Sequence, residues 1–122
     1  MSNEQPKNND PLNEKSFSFS LRIIKLFKYM QDNHKEYILS KQILRSGTAI
    51  GALIREAKYA QSKADFLNKL MIALKEANET KYWLELLHKS DYIDQKMYKS
   101  IEPDIDTLLK LLVASTKTIK KT

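Results

Sequence analysis

Four stretches of this chain repeat apolar residues at alternating steps of three and four, and that spacing leaves little choice of fold. Phe19, Ile23, Leu26 and Met30 follow one another at 4-3-4, and Ile43, Gly47, Ile50, Ile54 and Ala57 at 4-3-4-3. Phe66, Leu70, Ala73, Ala77, Thr80, Leu84 and Leu87 hold the same rhythm for three heptads, and Met97, Ile101, Ile105, Leu108, Leu112 and Ile119 share a fourth face. A period near 3.6 places each set on one side of an α-helix, and the alternation that marks strands is missing. Four amphipathic helices with short links predict an all-α protein, an antiparallel up-down-up-down four-helix bundle.

The expected boundaries follow from local chemistry. Residues 1–15 are polar, contain Pro6 and Pro11, lack periodicity, and read as a disordered N-terminal tail. The bundle domain is then 16–122, with helix one starting at Ser16. "QDNHKE" at 31–36 is a polar break, and helix two is expected from about Tyr37 to Ala60. Ser62 and Asp65 fit a capping box opening helix three, which runs to about Lys89. "KSDYID" makes the last turn. Pro103 falls inside the fourth pattern, so helix four is expected to kink there or to be preceded by a separate turn.

At 122 residues the chain makes one domain able to bury a core unaided. It has no cysteine, which excludes disulfide scaffolds and cysteine-ligated metal sites. The start does not read as a signal peptide, and the longest apolar run, "AIGALI", is far too short to span a membrane. A cytoplasmic protein with no membrane association is the expectation. The net charge of +6, from 21 basic and 15 acidic side chains, favours a polyanionic partner.

Helix three carries more apolar surface than one core requires. Leu67, Met71, Leu74 and Tyr82 lie well around the helix from its inward stripe, and Trp83 falls on the other flank. Exposed apolar patches of that kind commonly mark interfaces, so these five residues are expected at a homo-oligomer contact.

Catalytic constellations fail on their spacing. Glu85 and His88 have the Glu-x-x-His spacing of di-iron bundles, but Gln31 stands where a second pair with His34 would need its glutamate. No metal site and no cofactor are expected. Lys28 and Tyr82 occupy the positions, six before each histidine, where helical ribonucleases carry arginine. A non-enzymatic protein is the expectation. Glu76 and Glu79, toward the Trp83 flank, read as solvated or salt-bridged carboxylates. On helix two, Lys41, Arg45, Thr48, Ala52, Arg55 and Tyr59 share an outer face that has no acid of its own. Lys41, Arg45 and Arg55 are its candidate phosphate contacts, and Tyr59 its candidate stacking group for a nucleic acid.

The only two glycines, Gly47 and Gly51, lie within helix two, where each costs about 1 kcal/mol relative to alanine. No Gly-Lys-Ser/Thr follows, so this is not a P-loop. Close helix packing is the reading that remains, with Gly47 on the core side and Gly51 on its shoulder.

The stretch "LSKQILRSGTAIGALIREAKYAQSKADFLNKLMIALKEANETKYWLELL", residues 39–87, closely resembles the 23S rRNA intervening-sequence proteins, a bacterial family of four-helix bundles. The resemblance implies a ring-like homopentamer without established enzymatic activity. It also implies similarity to the accessory protein of diversity-generating retroelements, a basic pentameric barrel that engages a reverse transcriptase and nucleic acid. An RNA or ribonucleoprotein partner is the expectation that follows; the alternative is an accessory subunit of a partner enzyme with no nucleic-acid contact. Leu53 departs from the asparagine usual in the family after "IGA", and a polar contact made there would be lost.

Overall fold

A computed structural model describes residues 10–121, and of Lys121 only the backbone. Four helices account for almost all of it, with no strand among the described residues: α1 (Pro11–His34), α2 (Leu39–Ala57), α3 (Lys63–Lys89) and α4 (Gln95–Lys121). Each helix packs on the next in the chain, and α1 also packs on α4, which closes the set around one core.

Each helix begins where a carboxylate or hydroxyl takes up free backbone amides. Asp10 accepts from the Asn13 N–H at 3.1 Å, and Pro11 supplies a first position that needs no donor. Helix α1 therefore starts at Pro11, five residues before the expected boundary at 16, and the supposed tail contributes its first turn. The rest of that tail, residues 1–9, lies outside the described residues. At the other end α1 runs through His34, so the "QDNHKE" break is mostly helical; Lys35 turns the chain with a left-handed φ of 54°. The Glu36 N–H then donates to the Met30 carbonyl, the long bond of a Schellman closure. The Glu36 carboxylate accepts from the amides of Ile38, Leu39 and Ser40 at 2.8–3.1 Å, and so opens α2 without a cap from Ile38.

Ser62 accepts from the Asp65 amide at 3.0 Å while Asp65 accepts from the Gln61 amide at 3.2 Å, and this fixes the start of α3. Asp94 accepts from the Met97 amide at 2.8 Å and starts α4, which continues through Pro103 as one helix. Of the two expectations at Pro103, a kink or a preceding separate turn, the separate turn is not present.

The inward stripes bury as their spacing predicts except at the end of α4, where Ile119 is only half-buried. Phe19, Ile23, Leu26, Met30, Ile43, Ile50, Ile54, Leu70, Ala73, Ala77, Leu84, Leu87, Ile101, Ile105, Leu108 and Leu112 make the core. Phe66 and Met97 pack at its edge. Full burial of each large side chain is worth about 1.5–3 kcal/mol. Ile93, in the turn before α4, is also buried and closes one end of the core.

The glycines sit where α1 meets α2. A Cβ on Gly47 would lie 2.9 Å from Ile23 Cγ1, inside contact distance, and one on Gly51 would lie 3.3 Å from the Ser16 carbonyl and the Ser20 hydroxyl. The gap at Gly47 is filled by the Ile23 side chain, and the gap at Gly51 admits the backbone of α1 at Ser16.

Candidate functional site

Residues of the expected basic face on α2 separate into three environments. Arg45 is engaged by α3: Nη1 is 3.2 Å from Glu76 Oε1, and Nη2 bonds Glu79 Oε2. Trp83 Nε1 donates to that same Glu79 oxygen at 2.9 Å. The Trp83 bond first, and the Arg45 guanidinium second, hold the Glu79 carboxyl below its ordinary range. The hydrogen bond that Arg45 donates to Glu79 raises Arg45 further in turn. On a face that has no acid of its own, Arg45 is thus neutralised by two acids of the neighbouring helix.

Arg55 lies over the Phe17 ring of α1, 5.5 Å from its centroid, in a cation–π contact. Lys41 is exposed and has no ion pair among the described residues. Tyr59 is 80% exposed but lies beyond α2, which ends at Ala57 rather than near Ala60, so it does not continue the arginine face. The four residues proposed for phosphate and base contact are therefore not one uniform surface.

Beneath Arg45 the α2–α3 seam is polar at its centre. Thr80 Oγ1 lies 2.8 Å from both Ser46 Oγ and the Glu76 carbonyl, and both hydroxyls are fully buried. On the far side of α3, Lys81 Nζ is 2.7 Å from Asp106 Oδ1 and 3.9 Å from Glu102. The hydrogen bond between the two carboxyls pushes Glu102 up and Asp106 down, and Asp106 raises Lys81.

Of the apolar residues expected at an oligomer contact, Tyr82 and Met71 stay exposed. Leu67 is half-buried, while Leu74 and Trp83 pack against the core, and the Tyr82 and Trp83 rings meet edge-to-face at 5.0 Å. The more continuous apolar surface is on α1, where Phe17 is 51% exposed, Leu21 50% and Ile24 36%. Those three repeat the 4-3 spacing of the core stripe two residues out of phase, which points them away from the core; that spacing was the available signal. Beside them, Phe17, Ile24, Gly51, Ala52 and Arg55 line a groove of about 430 Å³ between α1 and α2.

His88 stacks on Tyr98 with ring centroids 4.2 Å apart and planes 8° apart. Among the described residues no group of three or more histidine, aspartate or glutamate side chains is placed to hold a metal ion. No helix among those residues is long and apolar enough to cross a membrane.

No curated protein matches the chain. A crystal structure of a protein of unknown function from the S23 ribosomal protein family of Bacteroides thetaiotaomicron superposes with a TM-score of 0.86 at 56% identity. The match covers 87% of this chain and 98% of that one. The family pattern described as 23S rRNA-intervening sequence protein matches residues 11–114, and by that match the chain belongs to this family.

Proposed function

We propose that the protein is a non-enzymatic, cytoplasmic homo-oligomer, a ring of five four-helix bundles that engages RNA or a ribonucleoprotein. The observation that carries the oligomer is the exposed row Phe17, Leu21 and Ile24, continuous with the α1–α2 groove. Contiguous apolar surface of this kind costs a free monomer and rewards association. The α1 row and the exposed Met71 and Tyr82 of α3 are unlike surfaces. Contact between unlike surfaces generates rings when the rotation closes.

Within each subunit the helices alternate in direction. Links at 35–38, 58–62 and 90–94 reach about 18 Å at most, whereas α2, the shortest helix with 19 residues, is about 28 Å long. A parallel neighbour would need a link as long as the helix itself.

RNA is favoured by the net charge of +6 and by family membership. A ring repeats a weak patch five times, which suits a polyanion. The engagement of Arg45 by Glu76 and Glu79 favours a second reading, an accessory subunit that contacts a partner enzyme and not nucleic acid.

Sedimentation equilibrium at micromolar concentration tests the oligomer. The unmodified chain is expected as a pentamer, and Phe17→Glu/Leu21→Glu as a folded monomer with unchanged helical circular dichroism. A monomeric unmodified chain would overturn the proposal. Loss of RNA binding at low salt would decide for the accessory-subunit reading.

A further inference from the structure

Helices α1 and α4 form the sparsest of the four seams. One residue bridges it at the surface. Arg22 donates to the Ser100 carbonyl at 2.8 Å, the Ser100 hydroxyl at 2.6 Å and Asp104 at 2.7 Å. Beside this clamp the helices leave an open groove of about 330 Å³, with an apolar floor that includes Leu26, Tyr29, Met97 and Ile101.

Lys25 stands on the α1 rim and Lys96 on the α4 rim; both are exposed, and neither has an ion pair among the described residues. The carboxylate that α4 brings to this seam is already used: Asp104 holds Arg22. From Tyr29 an aromatic path continues edge-to-face to His34, with centroids 5.5 Å apart, and on to Tyr92 at 5.3 Å.

We propose that this groove is where the protein grips single-stranded RNA, with a base on the Tyr29–Met97 floor and the flanking phosphates on Lys25 and Lys96. The inference rests on the reading that the protein engages RNA, and it moves the contact from the α2 face to the α1–α4 seam. An apolar and aromatic floor between two cationic rims matches the alternation of base and phosphate along a strand. An acidic peptide fits less well. Its carboxylates are best met by the guanidinium fork, and the Arg22 fork is spent on Ser100 and Asp104. Lysine ammonium groups are point charges, which phosphates accept without directional matching.

The test is fluorescence anisotropy of a labelled single-stranded RNA over a salt series, using the full chain. Lys25→Glu/Lys96→Glu is compared with the charge-matched Lys41→Glu/Arg55→Glu, and circular dichroism checks that both are folded. The groove variant should bind at least tenfold more weakly. Conservative Lys25→Gln/Lys96→Gln should reduce the slope of log Kd against log salt by about 1.4, two phosphates at about 0.7 each. RNA carrying 4-thiouridine should cross-link to peptides containing Tyr29 or Met97.

If the groove variant binds as the unmodified chain does while Lys41→Glu/Arg55→Glu loses affinity, this inference fails and the RNA reading stands. If the unmodified chain binds no RNA at low salt, both fail. Displacement of the RNA by polyglutamate at equal charge concentration would make the groove an acidic-peptide site and overturn the proposal.

Discussion

Helix α2 meets both of its neighbours through specific close contacts, whereas among the described residues the seam between α1 and α4 is bridged at the surface by a single arginine. Against α1, α2 presents Gly47 and Gly51, and the backbones approach until a Cβ on Gly47 would press on Ile23. Against α3, it presents Arg45 to two carboxylates and Ser46 to a buried hydroxyl. Both seams of α1 carry an open groove, but the one towards α4 has an exposed, unpaired lysine on each rim, whereas the cation of the one towards α2, Arg55, lies over the Phe17 ring. Equal charges therefore mean different things in the two places. A cation is available to a ligand when its neighbours leave it without a partner, and that depends on the facing helix.

The largest expected break in this contrast is at Gly47. Gly47→Leu forces side-chain atoms into Ile23, which is fully buried and has no solvent to swing into. Overpacking typically costs 1–3 kcal/mol, and a leucine here should cost about 3 kcal/mol or more in urea unfolding. Gly51→Ala, with 3.3 Å to the nearest atoms, should stay within about 1 kcal/mol because helix propensity offsets the crowding. Equal losses at the two positions would remove the argument that Gly47 is the tight point.

The next contrast sets Thr80→Val against Arg22→Ala. The first strands the buried Ser46 hydroxyl and should cost about 1–3 kcal/mol. The second removes a half-exposed clamp on the looser seam and should cost about 1 kcal/mol or less. If Arg22→Ala proves the more damaging, the α1–α4 seam is the tighter one after all, and its groove loses its standing as an open surface.

The smallest effect is in the acid limb of stability. Glu79 is held below its ordinary value of 4.5, so its contribution is present above that value and is lost as pH falls through the lower, folded one. Trp83, the only tryptophan, bonds Glu79 and reports the change by fluorescence. Glu79→Gln should flatten this part of the pH profile and remove the accompanying Trp83 transition. A Trp83 signal that titrates unchanged in Glu79→Gln would assign it to another group.

Much of the fold was legible because it depends on periodicity and on chemistry within a few residues. The inward stripes and the Ser62–Asp65 box are local signals, and the structure places them as read. Asp10 and Pro11 are a clear start signal for α1, but the polar run around them reads as tail. The spacing of Tyr59 fits the α2 face, yet the helix ends two residues earlier.

The candidate site was legible only in its residue types. Glu76 and Glu79 were readable as solvated or salt-bridged, but nothing on either helix alone pairs them with Arg45, which is separated from them by more than thirty positions. The Phe17–Leu21–Ile24 row had a spacing that could be read and was hidden behind the stronger core stripe.

By itself the sequence determined four helices, their inward faces and a basic net charge, since 3.6-residue periodicity and composition act without reference to the rest of the chain. Tertiary structure alone decided which cations are spent and which are free. Salt bridges and grooves arise between helices, from distances that no single helix contains.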